Sequence, residues 1–170
     1  MTRALTSRST ISGFVERTLI NLQLVTDTLY KNQVHSVTQI ILSMLGILVF
    51  LHEHLNRNFP LHTKFYNSLA EAKDWPDWNK WEFDPQMKKA LDTRDNLPGL
   101  LKHLRNSVSH YRINFSSSVD SRDPAEVTIE FCDCASPNAP TDWHASINGP
   151  DLQSFIINLA KHANSALLSL

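Results

Sequence analysis

The stretch VTQIILSMLGILVFL, Val37 to Leu51, constrains the fold of this 170-residue chain more than any other. It is apolar on nearly every side of a helix, and such a helix has to be covered on every side. A bilayer would cover it, but about fifteen residues fall short of the ~20 needed to span one, and Gln39 and Ser43 interrupt the run between His35 and His52. The expectation is a helix from about Val34 to Asn56. It is either the central helix of a bundle or a helix whose outer face meets a second copy of the chain, and a dimer is the reading adopted. Gly46 in its middle allows close backbone approach at roughly 1 kcal/mol of helix propensity.

The flanking segments supply the rest of a bundle. Phe14, Leu19, Leu22, Val25 and Leu29 recur at helical spacing from Thr10 to about Leu29, with Ser9 or Thr10 as cap. A break near Lys31-Asn32 precedes the apolar helix, and a short third helix is expected from about Leu61 to Lys73. Asp95-Asn96-Leu97-Pro98 is a cap followed by a first-turn proline, opening a helix that runs to about His110. Beyond it the period drops to two, in Ile113 and Phe115, then Val127, Ile129 and Phe131, then Trp143, Ala145 and Ile147. These read as three short antiparallel strands, the first two joined by the loop Ser116 to Pro124. Asn148-Gly149-Pro150 then opens an amphipathic helix through Leu152, Phe155, Ile156, Leu159, Ala163 and Leu167. The fold class expected is mainly α. Four to five helices (about 9–111, then about 150–169) enclose a three-stranded antiparallel segment (about 112–147), all in one domain over 1–170.

Composition narrows the function classes. A chain with 42% hydrophobic and 19% charged residues is an ordinary folded protein, long enough for a core without metal or disulfide. A formal net charge of -1 means that any nucleic-acid contact uses a local patch rather than a basic coat. The start, MTRALTSRSTISGF, has no apolar core of a secretory signal, so a cytoplasmic protein is expected. Cys132 and Cys134 are read as reduced and structural, since two thiols complete no zinc site. His52-Glu53-His54 resembles a ligand cluster, but residues two apart on a helix diverge by about 200°, so no metal and no cofactor is assigned. Trp75, Trp78 and Trp81 stand three apart, either as platforms for stacked bases or as indoles packed over the bundle. Packing is the reading adopted.

LRNSVSHYRI, Leu104 to Ile113, carries the chemistry. At about 100° per residue, Leu97, Leu100, Leu101, Leu104, Val108 and Tyr111 form one core stripe. Arg105, Asn106, His103 and His110 fall on the remaining faces, with Asn106 and His110 an i, i+4 pair. They are expected to point away from the chain's own core. A polar helix end stabilised by its dipole would account for them too.

Arg105-Asn106-Ser-Val-Ser-His110 resembles the R-x(4–6)-H signature of the HEPN superfamily, often with a polar residue straight after the arginine. The likeness is closest to small HEPN ribonuclease-like proteins of prokaryotic plasmids and defence loci, whose second helix VTQIILSMLGILVF resembles. The resemblance implies a homodimer with a composite site built from two copies of Arg105, Asn106 and His110. It implies a metal-independent endoribonuclease, a toxin or defence effector, leaving 2′,3′-cyclic phosphate ends. Lys102 and Arg112 are candidate RNA phosphate contacts, and Tyr111 is expected to pack. An antitoxin or a nucleotidyltransferase partner is implied as possible, with no membrane. Some members carry R-x4-H-x-Y, whose tyrosine such a partner modifies; here Tyr111 follows His110 directly and Arg112 takes the tyrosine's place. A non-catalytic HEPN module that binds nucleotide or RNA, or only dimerises, is the rival reading.

Overall fold

The structure is a computed structural model that describes residues 7–28, 36–56, 59–71, 75, 78–94, 96–116, 124–136 and 138–168. Leu29, the Lys31-Asn32 break, most of the Ser116 to Pro124 loop and the side chains of Val25, His54 and Leu167 lie outside them. The elements run α1 (Ser7–Thr28), α2 (Ser36–Asn56), α3 (Phe59–Glu71), β1 (Glu82–Phe83), α4 (Lys88–Asp92), α5 (Leu97–Ser109), β2 (Ile113–Phe115), β3 (Thr128–Asp133), β4 (Trp143–Asn148) and α6 (Gly149–Leu168).

α2 is packed by four other helices, α1, α3, α5 and α6. Its own chain covers most of this apolar surface: Ile40, Met44, Ile47, Leu48 and Leu51 are all buried. Gly46 serves the α1 crossing. A Cβ there would stand 3.0 Å from Phe14 Cζ, and the Phe14 ring stacks on Phe50 with centroids 4.1 Å apart. No helix of the described residues is long and apolar enough to cross a membrane. Leu42 on α2 and Ile20 and Leu24 on α1 remain exposed.

The three expected strands form, and a fourth joins them. The sheet order is β1-β4-β3-β2, antiparallel throughout. β1 comes from the tryptophan segment, where Glu82 and Phe83 pair with Ser146 and Ala145. Two residues are too few for alternation to announce, and the same holds for the five-residue α4. On β3, Ile129, Phe131 and Asp133 share the buried face, and α5 packs on this strand. Two of the expected helix starts carry their caps: Asn96 Oδ1 accepts from Gly99 N at 3.1 Å and Asn148 Oδ1 from Asp151 N at 2.9 Å. Ser9 and Thr10 are not the cap of α1, because the helix already runs from Ser7 and places both inside it.

The tryptophans belong to the core rather than to a separate cluster over it. Trp75 and Trp81 are buried, Trp78 partly so, and all three pack against the main core cluster. Trp81 meets Phe155 of α6 edge-on at 5.2 Å and Phe131 of β3 at 5.9 Å. Trp81 thus joins the sheet to the last helix. Trp81→Ala should lower the unfolding free energy by about 3–5 kcal/mol through loss of packing and the cavity left behind. Urea denaturation followed by circular dichroism measures this, and a loss under ~1 kcal/mol would mean that the indole is peripheral.

Candidate functional site

α5 carries Lys102, His103, Arg105 and Asn106, and its last turn hands the chain to His110, Tyr111 and Arg112. Its apolar stripe is as expected as far as Val108: Leu97, Leu100, Leu101, Leu104 and Val108 are buried. The polar residues differ from expectation. Asn106 and His103 do not turn away from the chain's own fold but face β3, where both meet the carboxylate of Asp133.

Asp133 gathers four donors. His103 Nδ1 and Asn106 Nδ2 lie 2.8 and 2.9 Å from its Oδ2. Arg112 Nη1 lies 3.3 Å from Oδ1, and the Cys134 backbone N–H donates to the same oxygen at 2.9 Å. Burial alone would raise the Asp133 pKa, but the hydrogen bonds from Asn106, His103 and the Cys134 amide, with the His103 charge, hold it below its ordinary value. An ionised carboxylate only accepts, so the proton between it and His103 resides on Nδ1. In the neutral ring this leaves Nε2 as the basic nitrogen. The imidazole also lies flat on Trp143, with centroids 4.9 Å apart and planes 9° apart. Trp143 is in turn fixed by its Nε1–H donating to Thr93 Oγ1 at 3.0 Å.

Asn106 links this anchor to Arg105, whose Nη2 donates to Asn106 Oδ1 at 2.5 Å. Arginine only donates and the carboxylate only accepts, so the amide has one orientation, oxygen towards Arg105 and nitrogen towards Asp133. Next to Asn106 on the helix, buried Ser107 places its Oγ 2.8 Å from His103 O and 2.7 Å from Cys132 O, with one proton for two acceptors. Small and polar, it allows α5 to lie close on β3.

His110 is exposed at the end of α5. Its backbone N–H bonds to Asn106 O at 3.0 Å, and its ring makes no hydrogen bond among the described residues. Arg105 and Asn106 are therefore brought together, Arg112 joins them through Asp133, Lys102 lies exposed further up the helix, and His110 stands open to solvent. Neither Asp133 nor the placement of His103 was read from the sequence. A signal was present, because an aspartate follows Ile129 and Phe131 at the same alternation, on the face meant for the core. The cysteines on either side of it are free, and burial, then the Glu130 charge, pushes the Cys132 thiol pKa up, away from thiolate chemistry. Among the described residues, no three His, Cys, Asp or Glu side chains could share a metal ion.

Tyr111 does not pack. It is 93% exposed because the helix stops two residues before it and the chain turns left-handed, with Tyr111 φ at 57°. Arg112 N bonds back to Ser107 O at 2.9 Å and Tyr111 N to Val108 O at 3.3 Å. This is the bonding of a Schellman cap, where glycine normally takes the left-handed position.

A family model described as HEPN pEK499 p136 matches residues 4–166. The chain belongs to this HEPN family. No curated protein and no solved structure matches it. The helical bundle is consistent with this family, and a small antiparallel sheet accompanies it in this chain.

Two outcomes follow from the geometry. Because the folded pKa of Asp133 lies below its unfolded one, its contribution to stability is complete above the ordinary value of 3.8 and disappears as pH falls through the folded value. Asp133→Asn should lower stability at neutral pH and flatten the acid limb of a stability–pH curve; an unchanged acid limb would show that the carboxylate anchors nothing. Tyr111→Gly should raise stability by about 1 kcal/mol by relieving the left-handed backbone. Thermal denaturation reads this, and a fall in stability would mean that the exposed ring has a partner on the fold.

Proposed function

We propose that the protein is a metal-independent endoribonuclease of the HEPN type, acting as a homodimer with Arg105, Asn106 and His110 of both copies in one composite site. The observation that carries the reading is the layout of α5 in a chain of this family. A guanidinium and an amide are fixed through Asp133 to β3, and about one turn further on an exposed imidazole has no hydrogen bond among the described residues.

RNA brings its own nucleophile. His110 takes the proton of a 2′-hydroxyl, the 2′-oxygen bonds to phosphorus, and the bond from phosphorus to the 5′-oxygen breaks. That oxygen leaves with a proton from the second copy's imidazole, giving a 2′,3′-cyclic phosphate and a 5′-hydroxyl. Arg105 offers two N–H groups to the non-bridging oxygens as charge accumulates. Asn106, held from both sides, keeps the guanidinium in place. Lys102 extends the phosphate contact along the helix. Arg112 adds positive charge, with part of its donor capacity committed to Asp133. A toxin or defence effector, restrained by an antitoxin or a modifying partner, is the role that such an activity fits.

A second reading has its own support. Arg105 and Asn106 bond to each other and to the fold, which suits a module that binds RNA or nucleotide without cutting it. Purified protein incubated with mixed RNA in chelator separates the two. The parent should cut and leave cyclic phosphate ends. His110→Ala should cut about 10²–10⁴-fold more slowly with the fold intact, because the residue is exposed. Arg105→Lys should restore little, since an ammonium lacks the planar fork. Equal cutting by the parent and His110→Ala would remove the mechanism, and a monomer by light scattering would remove the composite site. If cutting stops in chelator, the chemistry belongs to a metal.

A further inference from the structure

Beside the network at Asp133, between α2, α3 and the first turns of α5, lies a cleft of about 440 Å³. Leu48, Leu51, Phe65 and Leu101 line it with apolar surface, the Tyr66 ring forms part of one wall, and Lys102 and Arg105 bring two positive charges to it. No carboxylate is among the described residues that line it. Burial pushes the Tyr66 pKa up, against the opposing pull of the Arg105 charge, so the phenol is neutral and close to the guanidinium. Tyr66 sits edge-on to Phe65 with centroids 5.5 Å apart, which fixes its ring.

We infer that this cleft seats one unpaired base of the RNA strand whose phosphate lies at Arg105. The inference rests on the ribonuclease reading for the identity of the strand, and it adds a site that the motif does not contain. Arg105 is the connection, because the same side chain lines the cleft and bonds to Asn106. At 1.5 Å and 100° per residue, Lys102 lies about 4.5 Å along the axis and about 60° around from Arg105, on the same side of the helix, whereas His110 is about 7.5 Å the other way and about 140° around. A strand whose phosphates lie at Arg105 and Lys102 therefore has the cleft opening beside both cations. A flat apolar ring joined to an anion suits what lines it: apolar surface and an aromatic wall for the base, cations for the phosphate. The volume falls within the ~300–1,000 Å³ range of small-molecule pockets. A duplex keeps its bases stacked inside and presents none to such a cleft, so the substrate is single-stranded at this position.

The test uses the intact protein and 2′-O-methyl RNA pentamers, which lack the nucleophile and cannot be cut, with binding read by fluorescence anisotropy. One pentamer is intact and five others each carry a single abasic position. Removing the base that occupies the cleft should weaken binding by about 5–150-fold, the range for one stacked base, and removing each of the others should matter much less. Leu101→Trp, which fills the cleft, and Tyr66→Leu, which removes the ring, should each abolish that difference, while Tyr66→Phe should keep it. Circular dichroism checks that each variant is folded; if Leu101→Trp is not, Tyr66→Leu decides alone. Equal binding of all five abasic pentamers, or a base preference unchanged in the folded variants, would overturn the inference. So would displacement of the pentamer by decanoate without any base preference, since the cleft would then be a site for acyl anions. Because no cutting is involved, the two readings fail separately. A base preference in a protein that cuts no RNA leaves the cleft standing without the nuclease. Cutting with no base preference leaves the nuclease without the cleft.

Discussion

A buried aspartate facing four donors is the contact on which the arrangement of α5 depends. Placing a carboxylate in the interface between a helix and a strand is unfavourable unless its oxygens are satisfied, and both oxygens of Asp133 are. The reward is positional. Asn106 and His103 come from adjacent turns of α5, Arg112 from the segment entering β2, and the amide of Cys134 from the end of β3 itself. One anion thus sets the helix's rotation about its axis and its height along the sheet. Replacing it by a leucine of similar size would satisfy burial but leave Asn106, His103 and Arg112 to find other acceptors.

Much of the fold was legible because the sequence states it through periodicity and caps. The all-apolar run identified α2, Asn96 with Pro98 identified the start of α5, and alternation of two identified β2, β3 and β4. Four helices of its own chain pack on α2, while Leu42 on it stays exposed. What sequence could not give is pairing between distant segments. β1 exists because two residues of the tryptophan segment reach the edge of β4, and nothing local to Glu82-Phe83 requires that.

The site was half legible. Arg105, Asn106 and His110 were singled out, yet the wheel that placed Asn106 and His103 on an outer face assumed that only apolar residues face the core. Asp133 breaks that assumption, because a polar contact turns a polar helix face inward. Tyr111 fails for a different reason. The wheel extrapolated α5 through Tyr111, whereas the helix ends at Ser109 and a left-handed residue swings the ring into solvent. Here glycine would be the easier residue, since Tyr111 takes a left-handed φ of 57°.

His103 of α5 and His110 at its C-cap divide along the same line. His103 is held by an anion on Nδ1 and by an indole face, which fixes its tautomer and plane but leaves only 15% of the side chain exposed. His110 has no such constraint and is exposed at the helix end. A ring that exchanges a proton with a long polymer has to be reachable, and in the proposed mechanism reachability favours His110. In this chain His103 is fixed to the scaffold and His110 stands open, and the proposed composite site draws on that contrast: α5 is locked at its cap, at its middle and at its left-handed end, while the His110 ring makes no hydrogen bond among the described residues.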